Sequence, residues 1–362
     1  MLSPKRKHVF SWEKSTLSSW RTYMSKKLSL ILIAIIFSCI SSFAGDKTYV
    51  IKFATVAPEG SSWMKEMRKF EKELEKISNG RLKFVIYPNG IMGSEKDMLR
   101  KMRLGQIHSA TFTGVGLGEI VPEIRILEAP FFFKSKDEID YIYNIIFKEL
   151  SPKFEKKGFY LSGWAEVGFI YLFTNYPIRK IDDFKKVKMW LWKGDPLAKA
   201  AFDVLRIPAI PLEVTDVYTS LQTGLIDGVY ISPYGAIALQ WFTKTKYMLD
   251  YPLTNSIGAV LITKKKLNSL PEDLREILIT KTREYLEEIV RRSRQENIES
   301  IKILQENGIQ LVHIEDEATL KELEEKGKEI RQKLVGKLYS QELLERVEKL
   351  LEEYRNTHGQ EN

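Results

Sequence analysis

Residues 49–56 (YVIKFATV) alternate apolar and polar positions and are rich in β-branched side chains, which predicts a strand. From Ser61 onward, Trp63, Met67, Phe70, Leu74 and Ile77 recur at spacings of four, three, four and three, the period of one helix face, and Asn79-Gly80 stops the helix. Residues 82–87 alternate again. Ser94 with Asp97 three positions later has the form of a capping box opening a short helix that ends at Gly105. Residues 107–113 complete a strand, helix, strand, helix, strand series, which is an α/β unit with a mostly parallel sheet.

Farther on, Ser135 and Glu138 open a helix expected to run through Phe147, and residues 159–174 form a β-like run long enough to leave one lobe and enter another. Residues 188–192, 226–232 and 259–263 read as strands, and Thr215-Asp216 caps a helix through Gln222. From Ser269-Leu-Pro-Glu272 a helical pattern continues without Gly or Pro until Gly308. About 36 residues at about 1.5 Å each make a helix of about 54 Å, long enough to brace two lobes. A strand at 310–314 and two charged amphipathic helices finish the chain. The expected fold is therefore α/β, two-lobed, with strands that cross between the lobes. Residues 45–160 with 255–310 are assigned to lobe one, 161–254 to lobe two, and 311–362 to a C-terminal strand and helices packed on the lobes.

Charge changes the picture at the N-terminus. The 362 residues include 56 Lys+Arg against 48 Asp+Glu, a formal net charge of +8. Seven of the bases and only one acid, Glu13, fall in residues 1–44, so the remainder holds 49 bases against 47 acids and offers no global argument for nucleic acid. Lys26-Lys27 precedes thirteen mostly apolar residues (28–40), short for a membrane span and suited to a signal-peptide core. Ser42 and Ala44 place small residues at the −3 and −1 positions before Gly45. Residues 1–44 thus read as an export leader, with Met24 as an alternative start; an uncleaved anchor or a lipoprotein site at Cys39 are the other readings. Cys39 is the single cysteine, so the exported body has neither disulfides nor thiol catalysis. The expected location is the periplasm.

Enzyme signatures do not emerge. There is no G-x-x-x-x-G-K-[ST] and no G-x-S-x-G. Residues 113–118 (TGVGLG) follow a strand but have the spacing G-x-G-x-G, so they read as a backbone-lined ligand loop and not as a dinucleotide site. His108 and His313 lie far apart without metal-ligand spacing. No cofactor is expected, and binding is favoured over turnover.

The segment 188–196 (KMWLWKGDP) alternates two tryptophans along a strand and then turns. Trp190 and Trp192 therefore face one side, either into a binding site at the carboxyl end of the strand or into core. From residue 49 to about 350 the chain resembles the DctP-type substrate-binding proteins of tripartite ATP-independent periplasmic (TRAP) transporters. The likeness is carried by FATVAPEGSSW (53–63), residues 80–110, APFFF (129–133), PIRKIDDFKKVKMW (177–190) and VTDVYTSLQTGLIDGVYISP (214–233). The resemblance implies two α/β lobes that close over a small organic acid, which is then handed to TRAP permease membrane subunits driven by an ion gradient. A sensory protein docking on a membrane receptor is the alternative role.

Departures from the family pattern bear on the ligand. Arginines that clamp a carboxylate in relatives correspond here to Trp190 and Ile170, and a family Asn corresponds to Ile231. A carboxylate then needs other donors, and Lys193, Tyr230, Ser232 and the backbone N–H groups of 113–116 are the candidates. Ser62 and Trp63, on the loop after the first strand, and Thr113 and Gly114, after the third, are expected on the lobe-one face. Glu166, Trp190, Lys193, Tyr230, Ser232 and Trp241 are expected on the other. Glu166 either orients a ligand hydroxyl or holds an ion, or is a structural acid.

Overall fold

The computed structural model describes Met24 and residues 47–358; the leader expected at 1–44 otherwise lies outside the described residues. Two sheets organise the chain. The first takes β1 (Tyr49–Ala54), β2 (Leu82–Tyr87), β3 (Ser109–Thr113), β4 (Phe159–Trp164) and β11 (Gly258–Thr263) in the order β2-β1-β3-β11-β4. Its β1, β2 and β3 are parallel, and β11 runs antiparallel to both β3 and β4.

The second sheet takes β5 (Gly168–Thr174), β6 (Met189–Trp192), β7 (Ala209–Leu212), β8 (Gly228–Ile231), β9 (Tyr247–Leu249) and β12 (Gln310–Val312), with β10 (Thr254–Ser256) paired to β5. The run at 159–174 is thus two strands, one in each sheet. Between them the backbone keeps its ladder: Ala165 N–H donates to Gly258 O at 2.8 Å and Val167 N–H to Ser256 O at 3.1 Å. The second crossing, from β10 to β11, lies alongside the first. Gly258 is required there, because a Cβ would sit 2.3 Å from Ala165 O.

The third link is the helix Glu272–Glu306, close to the expected span. It places Leu286 against Gly163 of β4, while its Asn297 accepts from Tyr234 N–H and donates to Val167 O. Leu278, Leu286 and Ile289 bury in the core under the first sheet, and Leu304 in the core under the second. Leaving the helix, the chain enters β12, beside β9.

Local signals mostly act as read. Ser61 caps the helix Ser62–Ile77 by accepting from Met64 N–H, and Ser94 with Asp97 closes a reciprocal box on Glu95–Arg103. The helix opened by Ser135 continues to Lys156, past the expected end at Phe147, because its buried Leu150 and Phe154 extend the apolar face and Pro152 is tolerated within it. The helix Val214–Gln222 begins with Glu213 as its cap residue, so Thr215 is already inside it.

Candidate functional site

Between the two sheets lies a cavity of about 310 Å³. One wall comes from the carboxyl ends of β1 and β3 and the first turn of Ser62–Ile77. The opposite wall comes from the ends of β6 and β8 and the helix Pro233–Ala238. Residues 165–167 of the crossing and Ile289, Arg292 and Glu296 of the long helix close the remaining side.

The β6–β8 wall is aromatic. Trp190 is buried, stacks on Tyr230 with centroids 4.9 Å apart and an interplanar angle of 19°, and receives Trp241 edge-on at 5.2 Å. Trp192 lies 5.8 Å from Trp190. Two polar groups of this cluster are turned to protein: Trp190 Nε1 donates to Leu212 O at 3.0 Å, and the Tyr230 hydroxyl accepts from Trp192 N–H at 3.1 Å. Burial pushes the Tyr230 phenol well above its ordinary range. Trp190 and Tyr230 therefore present mainly carbon to the cavity.

Buried charge is concentrated around Arg125, from the 3₁₀ turn Pro122–Glu128. Its Nη1 lies 2.9 Å from Asp195 Oδ1, its Nη2 donates to Asp195 Oδ2 at 3.2 Å, and its Nε lies 2.7 Å from Glu128 Oε2. The Nε–Glu128 pair is close but misaligned, since Nε makes no hydrogen bond. Burial works against the guanidinium's charge, but Asp195 and Glu128 together outweigh it and hold its pKa up. Glu128 accepts from Ile257 N–H and Ser256 Oγ, yet burial pushes its pKa above the usual carboxylate range. Asp195 follows β6 and caps the helix Pro196–Leu205 by accepting from Leu197 N–H, so the Arg125–Asp195 pair ties the first sheet's side to the second's.

Glu95 is a further buried acid on the first sheet's wall. It accepts from Thr113 N–H, Thr113 Oγ1 and Gly116 N–H at 2.9, 3.0 and 2.8 Å. Burial nevertheless raises its pKa to about 7, because these donors only partly offset the lost water. Among the described residues no ion pair neutralises it.

Of the residues expected from the sequence, Ser62, Trp63, Thr113, Glu166, Trp190 and Tyr230 line the cavity, as do Ser232 and Trp241. Ser62 and Trp63 open a helix and do not sit on a loop. Ser62 Oγ donates to Glu296 Oε2 at 2.5 Å and accepts from the Tyr234 hydroxyl at 3.0 Å. Thr113 ends β3, and the glycines after it form the helical turn Gly114–Gly118 in place of the expected loop. The backbone N–H groups of 113, 114 and 116 donate to Glu95 and Ile257 O, so they are not free for a ligand.

Gly114 is packed under Glu128, whose Oε2 would lie 1.9 Å from a Cβ there, and it does not line the cavity. Lys193 also stands outside it: its side chain is 65% exposed and 3.9 Å from Glu213. Glu166 is buried, its carboxylate paired at 2.5 Å with Arg294, which also holds Asp140. Ser232 Oγ accepts from Gly235 N–H as a helix cap. Arg125, Glu128 and Asp195 escaped sequence reasoning, and Glu95 registered only inside a capping box. An Arg and a Glu three apart within the apolar run 124–129 was the available signal of a buried pair.

A family described as DctP, bacterial extracellular solute-binding protein, family 7, matches residues 53–337. A solute-binding protein of Verminephrobacter eiseniae is 33% identical over 162 residues, 44% of this chain and 48% of the relative. The match thus spans about half the length of that relative. The fold matches the sugar acid binding protein of Advenella mimigardefordensis in complex with galactonate, at a TM-score of 0.78 and 21% identity, covering 85% of this chain and 99% of that one. It also matches a TRAP periplasmic solute-binding protein of Sulfurospirillum deleyianum with bound succinate, at a TM-score of 0.77 and 19% identity, covering 84% and 99%.

Proposed function

The chain belongs to the DctP family of extracellular solute-binding proteins, and from that premise we propose that it is the periplasmic receptor of a TRAP transporter, capturing a small organic solute between its sheets and passing it to an ion-gradient-driven permease. The observation that carries the reading is the cavity itself, whose walls come from both sheets and whose back is formed by the two crossing segments and the long helix. A solute there touches both lobes only when they are closed. It therefore shifts the equilibrium toward closure by its differential affinity for the two states.

The first sheet with its helices is taken as one lobe and the second as the other, with 165–167 and 257 as the hinge. Trp190, Tyr230 and Trp241 hold the solute from lobe two, while Trp63 and Thr113 meet it from lobe one. Galactonate and succinate in two structural relatives make carboxylates a natural part of the solute range to screen. Family membership is in a receptor family and not an enzyme family, and the proposed action is capture without turnover.

The test is a thermal-shift screen of the purified protein against organic acids, alcohols, amines, amino acids and sugars, with hits followed by calorimetry and small-angle scattering. A ligand that binds only the folded protein raises its melting temperature by mass action. A hit that also lowers the radius of gyration and is recovered unchanged supports capture by closure. A hit that is chemically converted, or a screen with no shift at all, defeats it.

A further inference from the structure

The cavity's two walls differ in chemistry. The aromatic wall, with Ile170 and Leu172 beside it, offers mostly carbon, the Trp190 indole N–H and the Tyr230 hydroxyl oxygen being already bonded to protein. The remainder is acidic. Six acidic side chains line the cavity against two guanidiniums, Arg125 and Arg292. Each guanidinium already serves a carboxylate. Arg125 is held between Glu128 and Asp195, and Arg292 is paired with Glu66. The lining acid Glu166 uses its own cation, Arg294. Lys193 is outside, and the N–H groups of 113, 114 and 116 are taken. An anionic solute would lose its water here, meet guanidiniums that each already serve a carboxylate, and face an excess of acidic side chains at close range. Glu95 is the reverse case: a buried carboxylate on the wall, supplied with three hydrogen-bond donors and no cation.

Resting on the solute-receptor reading, we infer that the solute is a molecule with an apolar body, aromatic or aliphatic, that carries no negative charge and points a hydrogen-bond-donating end, a hydroxyl or an ammonium, at Glu95. The apolar body covers Trp190 and its neighbours, where shape and dispersion decide the fit. The raised pKa of Glu95 agrees with this: the site is costly for a bare anion, and a donor or a cation from the ligand relieves that cost.

The test is calorimetry of the purified protein with 3-phenylpropan-1-ol, 3-phenylpropylamine and 3-phenylpropanoate, which share one body and differ in the end group, alongside succinate and galactonate. The expected result is saturable binding of the alcohol or the amine, at least tenfold weaker binding of the matched acid, and no binding of succinate or galactonate. Glu95→Gln is expected to weaken the amine at least tenfold and to narrow the gap between alcohol and acid; circular dichroism and melting curves check that the variant folds. Binding of the acid, succinate or galactonate as tight as that of the alcohol and amine overturns the inference and leaves the receptor reading standing. So does failure of both the alcohol and the amine when the wider screen returns an acid. A wider screen that returns nothing removes both readings.

Discussion

At position 190 an indole stands where the family resemblance places a carboxylate-clamping arginine, and its surroundings explain why it does not act as a donor. Its N–H is spent on Leu212 O, and its ring stacks on Tyr230 and stands at 77° to Trp241. Trp190→Ala is expected to weaken solute binding by about 2 kcal/mol, as the loss of a central aromatic anchor does, read by calorimetry with the best ligand of the screen. Unchanged affinity would make Trp190 core only.

Glu95 sets a second test at this scale. Its folded pKa of about 7 lies above the ordinary value of 4.5, so the folded state holds the proton more tightly than the unfolded chain. The stability this provides is complete below about pH 4.5 and is lost as pH rises through 7. Chemical denaturation of wild type and Glu95→Gln at pH 5 and pH 8 is expected to show the variant gaining about 2 kcal/mol relative to wild type over that range. A difference that stays constant with pH would mean that the carboxyl does not titrate there.

The elements themselves were largely legible in local chemistry. Ser61, Ser94 and Ser135 cap the helices they were expected to cap, and β2 occupies its expected residues. The glycine-rich stretch after β3 was misread as a loop because its helical turn is held from outside, by Glu95 accepting from Gly116 N–H and by Ile257 accepting from Gly114 N–H. No pattern within residues 113–118 encodes either contact. Close approach between crossing elements makes a prediction of its own. Gly258→Ala would force a Cβ into Ala165 O and push apart the paired crossing strands. A loss of about 1–3 kcal/mol is expected in urea melts, the range of an overpacked site, whereas wild-type stability would show that the crossing has room to yield.

For the whole molecule, the closure proposed above would have a built-in contact that needs no solute. Arg125 and Asp195, both about 95% hidden from solvent, meet across the space between the two sheets' sides. Breaking such a pair leaves a buried guanidinium short of one partner, at a cost on the order of 3–5 kcal/mol. The closed form therefore bears the loss, while an open form rehydrates the arginine. Asp195→Asn keeps an oxygen for the Leu197 cap, and scattering of the solute-free protein is expected to give a larger radius of gyration than wild type with unchanged helix content. Equal radii would show that the pair does not govern closure.

Periodicity, caps and turn residues act over about ten residues or fewer, so the order of strands and helices in the first α/β unit, the long helix and the family pattern were determined by sequence alone, whereas the short β7, β9 and β10 and the helix Pro196–Leu205 were not. The site was not. Arg125 and Asp195 are 70 positions apart, Thr113 and Glu95 are 18 apart, and Ser62 and Glu296 are 234 apart. Whether each charge is solvated, paired or stranded depends on which chain segments exclude water from it. Only the packed sheets decided that Lys193 faces solvent while Glu95 does not, because desolvation is a property of the surrounding volume and not of neighbouring residues in the chain.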